Sequence, residues 1–327
     1  MASVILAIVV TLSALGGGTV YAAQDSLPGD ALYPVKLGTE QVIMMLPGDD
    51  VVKAGRALSF AERRVGEMEA LTEKGRPQDL GLAVEKYGYA LNMTLARIER
   101  AGDRGLATGN ITALVANVTA KHLSVLDTVY DMVPDEAKAA IAHARNVSQT
   151  GYFHALAALA KNNTVRAAEM NLAAMLGRLN RVRARVGDAE AVQIALQQFE
   201  AMAEFGEEIS RIAQEIGLNI TEVEELVAEA TGKHLEVLAD VWERVPEQAK
   251  PGIERAMANL LIRYQMRVQK LEQKGAKVPP SPAIPERVRE RIEERIRERE
   301  QGVPDGTTPP GPGVPAWAWQ QNGHGTT

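Results

Sequence analysis

Apolar residues recur every three or four positions over most of the chain, which is the spacing of one face of an α-helix. The stretch 111–132 shows this pattern clearly. Its apolar stripe consists of Ile111, Leu114, Val115, Val118, His122, Val125, Leu126, Val129 and Val133. Polar residues fall on the opposite side, namely Asn117, Lys121, Ser124, Thr128 and Asp131. The pattern predicts an amphipathic helix whose apolar side packs on neighbouring helices.

Gly and Pro residues interrupt the periodic stretches and set the limits of eight long predicted helices. The predicted ranges are 51–74, 77–101, 111–132, 134–161, 165–186, 189–216, 222–244 and 246–274. The short connections between them favour antiparallel packing. A shorter helix is expected at about 36–46, within a strap that precedes the first long helix.

The chain matches itself at an offset of 112 residues. Residues 114–144 align without a gap to residues 226–256, and 16 of the 31 positions are identical. Tyr130 faces Trp242 as a conservative pair, and Tyr87 faces Phe199 further upstream. The repeat predicts two related units of about four helices each.

The predicted fold is therefore all-α, with two tandem helical units, a charged C-terminal helix and a disordered tail. The predicted segments are a signal peptide or anchor (1–23), a strap with a short helix (24–50), helical unit 1 (51–163), helical unit 2 (164–275), a Pro-rich linker (276–285), a charged helix (286–301) and a Pro/Gly-rich tail (302–327).

The first 24 residues contain no charge, and the apolar run from Ser3 to Leu15 is followed by three glycines and then small residues. This order is typical of a secretory signal peptide that is cleaved after Ala22 or Ala23. An uncleaved N-terminal membrane anchor is the competing interpretation. Both interpretations predict that the rest of the chain is exported.

Composition narrows the possible functions. The chain is 46% hydrophobic, 4% aromatic and 24% charged, a mixture that favours packed helices over sheets. It has no cysteine, which excludes disulfides, thiolate metal sites and cysteine nucleophiles. A net charge of −6 gives no reason to expect a nucleic-acid partner.

Asparagine residues fall in glycosylation triplets far more often than chance predicts. Six of the 11 asparagines begin an Asn-x-Ser/Thr triplet, although Ser and Thr together make up 25 of 327 residues, so fewer than one triplet is expected. The six candidates are Asn92, Asn110, Asn117, Asn146, Asn162 and Asn219. The excess favours N-linked glycosylation of an exported chain. Coincidence, with helix capping at Asn110 and Asn219, is the alternative. Export, triplets and the lack of cysteine together favour an archaeal surface protein.

The C-terminal region has a different character from the helical units. Residues 286–300 carry 12 charges in 15 positions, with only Val288, Ile292 and Ile296 apolar. Two interpretations are open for this helix, a solvated spacer and a docking or self-association surface. Of the 26 residues from Gly302 onward, 11 are Gly or Pro, which predicts disorder. Trp317 and Trp319 in this tail are candidates for contact with a partner, or an incidental feature.

Few residues indicate chemistry. His122 and His234 occupy equivalent places in the repeat, which allows a metal or cofactor site, but their position on an apolar stripe favours packed core histidines. The basic cluster Arg178, Arg181, Arg183 and Arg185 is expected to pair with nearby glutamates; an anionic polymer or a lipid surface is the alternative partner. No catalytic, phosphate-binding or zinc motif is present. We therefore expect no enzymatic activity and no cofactor.

The segment Ser26–Lys36 reads SLPGDALYPVK, and Ala61–Arg64 reads AERR. Together with the VPEQAK segment of Val245–Lys250, these motifs resemble an exported helical family of unknown function over about residues 25–275. In some bacterial relatives, a similar domain forms the extracytoplasmic part of membrane-bound sigma-factor regulators. The resemblance implies a helical exported domain and supplies no catalytic residues.

These observations predict a secreted or cell-surface, N-glycosylated, non-enzymatic helical spacer or interaction protein whose partner is unknown. The first alternative is a membrane-anchored extracytoplasmic sensor or regulator domain. The second is an extracellular metal or cofactor binder that uses His122 and His234.

Overall fold

The computed structural model describes residues 22–301. Ten α-helices lie within this range, and no residue of it forms a strand. The prediction of an all-α fold is confirmed. The helices are α1 (Tyr33–Met45), α2 (Asp50–Glu73), α3 (Leu80–Asp103), α4 (Gly109–Met132), α5 (Asp135–Ala160), α6 (Thr164–Ala184), α7 (Ala189–Glu215), α8 (Thr221–Trp242), α9 (Lys250–Gln273) and α10 (Glu286–Glu300).

Two compact units divide the chain, one ending at Ala155 and the other beginning at Leu156, inside α5. The division lies eight residues before the boundary predicted from the repeat. In the first unit, α2 packs along α3 and against α4, and α1 packs on α2. In the second unit, α6 packs on α7 and α8, while α9 packs on α8 and α7.

Side-chain caps begin several of the long helices where the sequence places a suitable residue. Asp49, Asn163 and Asp188 each accept a hydrogen bond from the backbone N–H three residues later, at 2.8–3.0 Å. These bonds satisfy donors that the first turn of a helix leaves unpaired. The described helices closely follow the predicted ones because Gly, Pro and capping residues interrupt the periodicity at each end.

Two predicted helices begin with a 3₁₀ turn instead of an α turn. Pro77–Asp79 precedes α3, and Glu247–Ala249 precedes α9. Pro251 explains the second case, because proline fits only the first turn of an α-helix. The α-helix therefore starts at Lys250, and the three preceding residues form the tighter turn.

One residue of the stripe predicted for α4 is exposed, and another, Val125, is only half-buried. Leu114 is 47% exposed, whereas its neighbours Ile111, Val115 and Val118 are buried. On a helix with 100° per residue, Leu114 lies at the edge of the stripe, where its side chain stays exposed. The polar side of α4 was predicted correctly, since all five of its residues are exposed.

The charged helix α10 is not a solvated spacer. Val288 and Ile292 are fully buried, and α10 packs on α9. Its arginines Arg291 and Arg295 reach the buried carboxylate of Glu254 at 3.4 and 3.1 Å. The spacer interpretation fails because the thin apolar line of α10 is covered and its positive charges have a buried partner in α9.

The Pro-rich segment 276–285 is held along the second unit by hydrogen bonds. The Tyr264 hydroxyl donates to the carbonyl of Pro280 at 2.9 Å. The backbone N–H groups of Lys277 and Ala283 donate to carboxylates of α8, those of Glu225 and Glu236. These hydrogen bonds hold the segment that connects α9 to α10 against the second unit.

Within residues 22–301, no helix has both the length and the apolar character required to cross a membrane.

Candidate functional sites

The motif SLPGD, residues 26–30, forms a turn by which the strap packs on the first unit. The Asp30 carboxylate accepts the backbone N–H of Leu27 at 2.7 Å and a hydrogen bond from Arg76, also at 2.7 Å. These two donors hold the pKa of Asp30 below its ordinary value. Gly29 adopts φ +86°, and a Cβ there would lie 2.7 Å from Nη2 of Arg76. The glycine is therefore needed both for the backbone conformation and for the close approach of Arg76.

A buried network of charges joins α1 to α2. Lys36 and Arg64 supply two positive charges, and Glu40 and Glu67 supply two negative ones, so the cluster is neutral. Lys36 lies 2.5 Å from Glu67, and Arg64 lies 2.6 Å from Glu40 and 3.1 Å from Glu67. The Tyr33 hydroxyl accepts a hydrogen bond from Arg64 and donates one to Glu67. All five side chains are buried, and Arg64 is only 1% exposed.

Burial governs the protonation of this network. Burial raises the pKa of Glu40, against the opposing effect of Arg64, and it also raises the pKa of Tyr33. The Tyr33 hydroxyl therefore keeps its proton and can serve both neighbours. The motif residues Tyr33 and Lys36 have a structural role, which is to dock the strap onto Arg64 and Glu67 of α2.

An open groove of about 430 Å³ lies beside this network in the first unit. Its lining combines apolar residues, among them Met44, Met45, Phe60, Tyr89 and Met93, with the polar or charged side chains of Glu40, Gln41, Arg64, Glu85 and Lys86. Met45 and Tyr89 are the most exposed of these side chains, at 63% and 65%. Methionine side chains adapt readily to different apolar surfaces, so the groove has the properties of an interaction surface.

His122 and His234 are both packed in the core of their own unit. His122 meets Tyr87 edge-on, with ring centroids 5.5 Å apart, and His234 meets Phe199 at the same separation. Burial lowers the pKa of each histidine to about 4. Both rings are therefore neutral at ordinary pH. Across residues 22–301, no group of three or more His, Asp or Glu side chains is arranged to hold a metal ion.

The six glycosylation candidates share one property, since every one of these asparagines is exposed. Of the four other asparagines in the described range, Asn163 and Asn180 are exposed, Asn259 is half-buried and Asn171 is buried. Asn110 lies inside the first turn of α4 and is not its N-cap, which is Thr108. Asn219 lies just before α8, where its side chain accepts the backbone N–H of Thr221 at 2.9 Å.

The predicted basic cluster is not a single surface patch. Arg178 is buried and donates a hydrogen bond to the side-chain amide oxygen of Gln198 at 3.0 Å. Arg183 is exposed and lies 3.8 Å from Asp240. Arg178 and Val182 lie on the buried side of α6, so Arg183, which follows Val182 directly, lies on a different side of the helix.

Three predicted features fall outside residues 22–301, namely the apolar N-terminal segment up to residue 21, the Pro/Gly-rich tail 302–327 and, within that tail, the pair Trp317 and Trp319. The buried charge network was missed in the sequence. A sign of it was present, because Arg64 and Glu67 interrupt the apolar spacing of Leu58, Ala61, Met68 and Leu71 on α2. Charged residues within such a stripe indicate buried ion pairs or a functional site.

The strap, the buried network and the packed helices define an all-α domain that is entered by an N-terminal docking segment. Residues 25–136 match the family model described as Domain of unknown function (DUF5667). The match spans the strap and helices α1 to α4, about a third of the chain. No curated protein and no solved structure matches the chain significantly.

Proposed function

We propose that the protein is an exported, N-glycosylated, non-enzymatic helical protein that acts at the cell surface as a spacer or interaction module. One observation carries the proposal, namely that all six asparagines of the Asn-x-Ser/Thr triplets are exposed. A glycan can be accommodated only where the asparagine side chain faces solvent. Asn171 shows that asparagine can also be buried in this fold, so exposure at all six sites is not automatic.

The other parts of the proposal rest on the sequence. The uncharged apolar segment before residue 24 supports export, and the lack of cysteine together with the triplet excess supports an archaeal surface protein. The sequence has no catalytic motif, which supports a non-enzymatic role. The groove beside α1 supports an interaction role for the first unit.

The test is mass spectrometry on the protein from its native host, after separation of medium from membranes. We expect a mature N-terminus near Ala23 and glycan on the triplet asparagines. Asn163 and Asn180 provide an internal control, because they are exposed but begin no triplet. Unmodified asparagine at all six triplets, in a chain that is otherwise intact, would contradict the glycoprotein proposal.

A second candidate is a membrane-anchored extracytoplasmic sensor or regulator. The observation that favours it is the position of the strap, which is bound to Arg76 of the first unit from Pro28 onward. An uncleaved segment 1–23 would hold this unit within a few residues of the membrane. Recovery of the chain only from membranes, with Met1 retained, would favour the anchored form.

Titration of the purified protein with Zn²⁺ or Cu²⁺ tests the metal-binding alternative. That alternative requires saturable binding that is lost when His122 is replaced.

A further inference from the structure

Three of the glycosylation triplets lie in the interior of long helices, beyond the first turn, and each of them has its two chemical groups on opposite sides. Asn92, Asn117 and Asn146 are exposed on α3, α4 and α5. The hydroxyl residues two positions later, Thr94, Thr119 and Ser148, are all 0% exposed. Two residues along an α-helix correspond to a rotation of about 200°, so an exposed asparagine necessarily directs the second residue towards the core.

The buried hydroxyls also have partners within the protein. Thr94 donates to the carbonyl of Ala90 at 2.9 Å, and Thr119 donates to that of Val115 at 2.7 Å. Ser148 donates across to the carbonyl of Thr119 at 3.0 Å, which joins α5 to α4. None of the three hydroxyls is therefore available to an enzyme that approaches the folded protein.

Two further triplets lie at helix beginnings with the same result. The hydroxyls of Thr112 and Thr164 are buried and donate to the carbonyls of Thr108 and Ala160. The sixth triplet differs. Asn219 lies in the segment before α8, its side chain accepts the N–H of Thr221, and Thr221 is only half-buried. This turn holds the Asn219 carboxamide against the backbone of Thr221, outside any helix, and the Thr221 side chain is not fully covered.

The acceptor motif requires both the asparagine and the hydroxyl residue, so the glycan transferase has to contact both groups at one site. We propose that glycan transfer to Asn92, Asn110, Asn117, Asn146 and Asn162 takes place before their helices fold, whereas Asn219 remains an acceptor in the folded protein. This inference rests on the proposed glycosylation and adds the order of events to it. This order of events requires the chain to reach the transferase unfolded, as it would if it were exported before folding.

The reaction itself needs only a lipid-linked oligosaccharide as co-substrate. The carboxamide Nδ2 of the asparagine attacks the anomeric carbon of the first sugar, and an N–C bond forms. The bond from that carbon to the lipid phosphate oxygen breaks, and the phosphate leaves with the electron pair. Nδ2 loses one proton, which the leaving phosphate or solvent takes up. No redox change is involved.

The test compares the same full-length chain before and after folding, with membrane vesicles of the native host as the source of transferase and lipid-linked oligosaccharide. In one arm the chain is translated in the presence of the vesicles and exported into them. In the other arm the purified, folded, unmodified chain is added to detergent-opened vesicles. A synthetic peptide of residues 112–124, which contains the Asn117 triplet, shows what the enzyme does with this sequence when it is unfolded.

We expect the exported chain to carry glycan at helical sites and the folded chain to be modified at Asn219 alone. Transfer to Asn117 in the folded chain should be slower than in the peptide by more than about tenfold, because it requires local unfolding of α4. Comparable rates in the folded chain and the peptide would overturn the proposed order. Absence of glycan from the exported chain, with transfer to the peptide by the same vesicles, would instead refute the proposed function, whereas comparable rates in the folded chain and the peptide overturn only the order.

A pair of equivalent threonines supplies matched variants. Thr119 and Thr231 lie at the same place in α4 and α8, and each donates to the carbonyl four residues earlier at 2.7 Å. Only Thr119 completes a triplet, because Glu229 stands two positions before Thr231. Thr119→Val should abolish transfer to Asn117 during export, and Thr231→Val should leave all sites unchanged. Loss of glycan in both variants would indicate a general folding effect and would contradict the inference.

Discussion

The Tyr87 hydroxyl lies 3.2 Å from Nδ1 of His122, and the two rings meet edge-on at an interplanar angle of 71°. In the second unit Phe199 takes the place of Tyr87 and meets His234 at 81°, without a hydroxyl. Both histidines are therefore held by an aromatic ring in the core, and one of them has an additional polar partner. This relationship favours a packing role for the pair over ligand binding.

The two histidines should make stability depend on pH. Burial lowers the pKa of both to about 4, whereas the ordinary value is 6.5, so the unfolded chain binds more protons between these limits. Their contribution is complete above pH 6.5 and is lost as the pH falls towards 4. The free energy of unfolding should decrease by up to about 1.4 kcal/mol per pH unit for each histidine.

Urea titrations at pH 7, 6 and 5 measure this slope. The double variant His122→Leu with His234→Leu should show a shallower slope than the wild type, whatever its stability at pH 7. His143→Leu is the control, because His143 is exposed. An unchanged slope in the double variant would show that these histidines are not buried in the neutral form.

Adjacent arginines on α2 should differ sharply in their importance. Arg64→Ala removes the closest partner of the buried Glu40 carboxylate and one of the partners of Glu67, and we expect a loss of about 3–5 kcal/mol. Arg63→Ala removes the same charge from a side chain that is 48% exposed and lies 3.3 Å from Glu40. A loss of about 0–1 kcal/mol is expected there. Equal losses in urea unfolding would refute the buried network.

Docking of α10 should depend on Glu254. Its carboxylate accepts hydrogen bonds from Arg291, Arg295 and the indole N–H of Trp242. Glu254→Ala removes all three, so α10 should detach, and trypsin should cleave within residues 286–301 faster than in the wild type. Glu293→Ala is the control, because the Glu293 side chain is exposed on α10. Similar cleavage rates in both variants would contradict the docking role of Glu254.

Two helical glycines should respond in opposite ways to replacement by alanine. A Cβ at Gly151 would lie 2.7 Å from Cδ2 of the buried Leu91, so Gly151→Ala should cost about 1–3 kcal/mol through overpacking between α5 and α3. Gly66 is exposed on α2, and a Cβ there would meet no atom within 4 Å. Gly66→Ala should stabilise the protein by about 0.5–1 kcal/mol. Thermal unfolding of the two variants decides the matter, and stabilisation by both would disprove the close helix contact.

The helices were predictable because their limits depend on local chemistry. Asp188 caps α7 as expected, and Gly75, Gly217 and Gly275 end helices with positive φ. The buried or exposed state of a side chain at the edge of a stripe was less predictable. Leu114 was expected in the core and is exposed, because burial depends on which helix lies opposite, and periodicity does not contain that information.

The sites were harder to predict than the helices. The docking of α10 depends on Glu254, which is 37 positions away from Arg291, and the strap network joins residues 24 to 34 positions apart. Local patterns do not reveal such pairings. The strap lies within residues 25–136 that match the family model, and the structure gives a role to two of its residues, because Tyr33 and Lys36 have charged partners on α2.

The strap closes long loops in a chain that has no cysteine. Tyr33 joins Glu67 across 34 positions, and Arg76 joins Pro28 across 48. Unlike a covalent bridge, these contacts are lost on unfolding and do not restrict the unfolded chain. In the folded state, however, each of them holds two residues together that are distant in sequence. The first unit is thus cross-linked by charge and hydrogen bonds instead of sulfur. Reducing agents and thiol oxidants should therefore leave these contacts unchanged, because none of them involves a thiol.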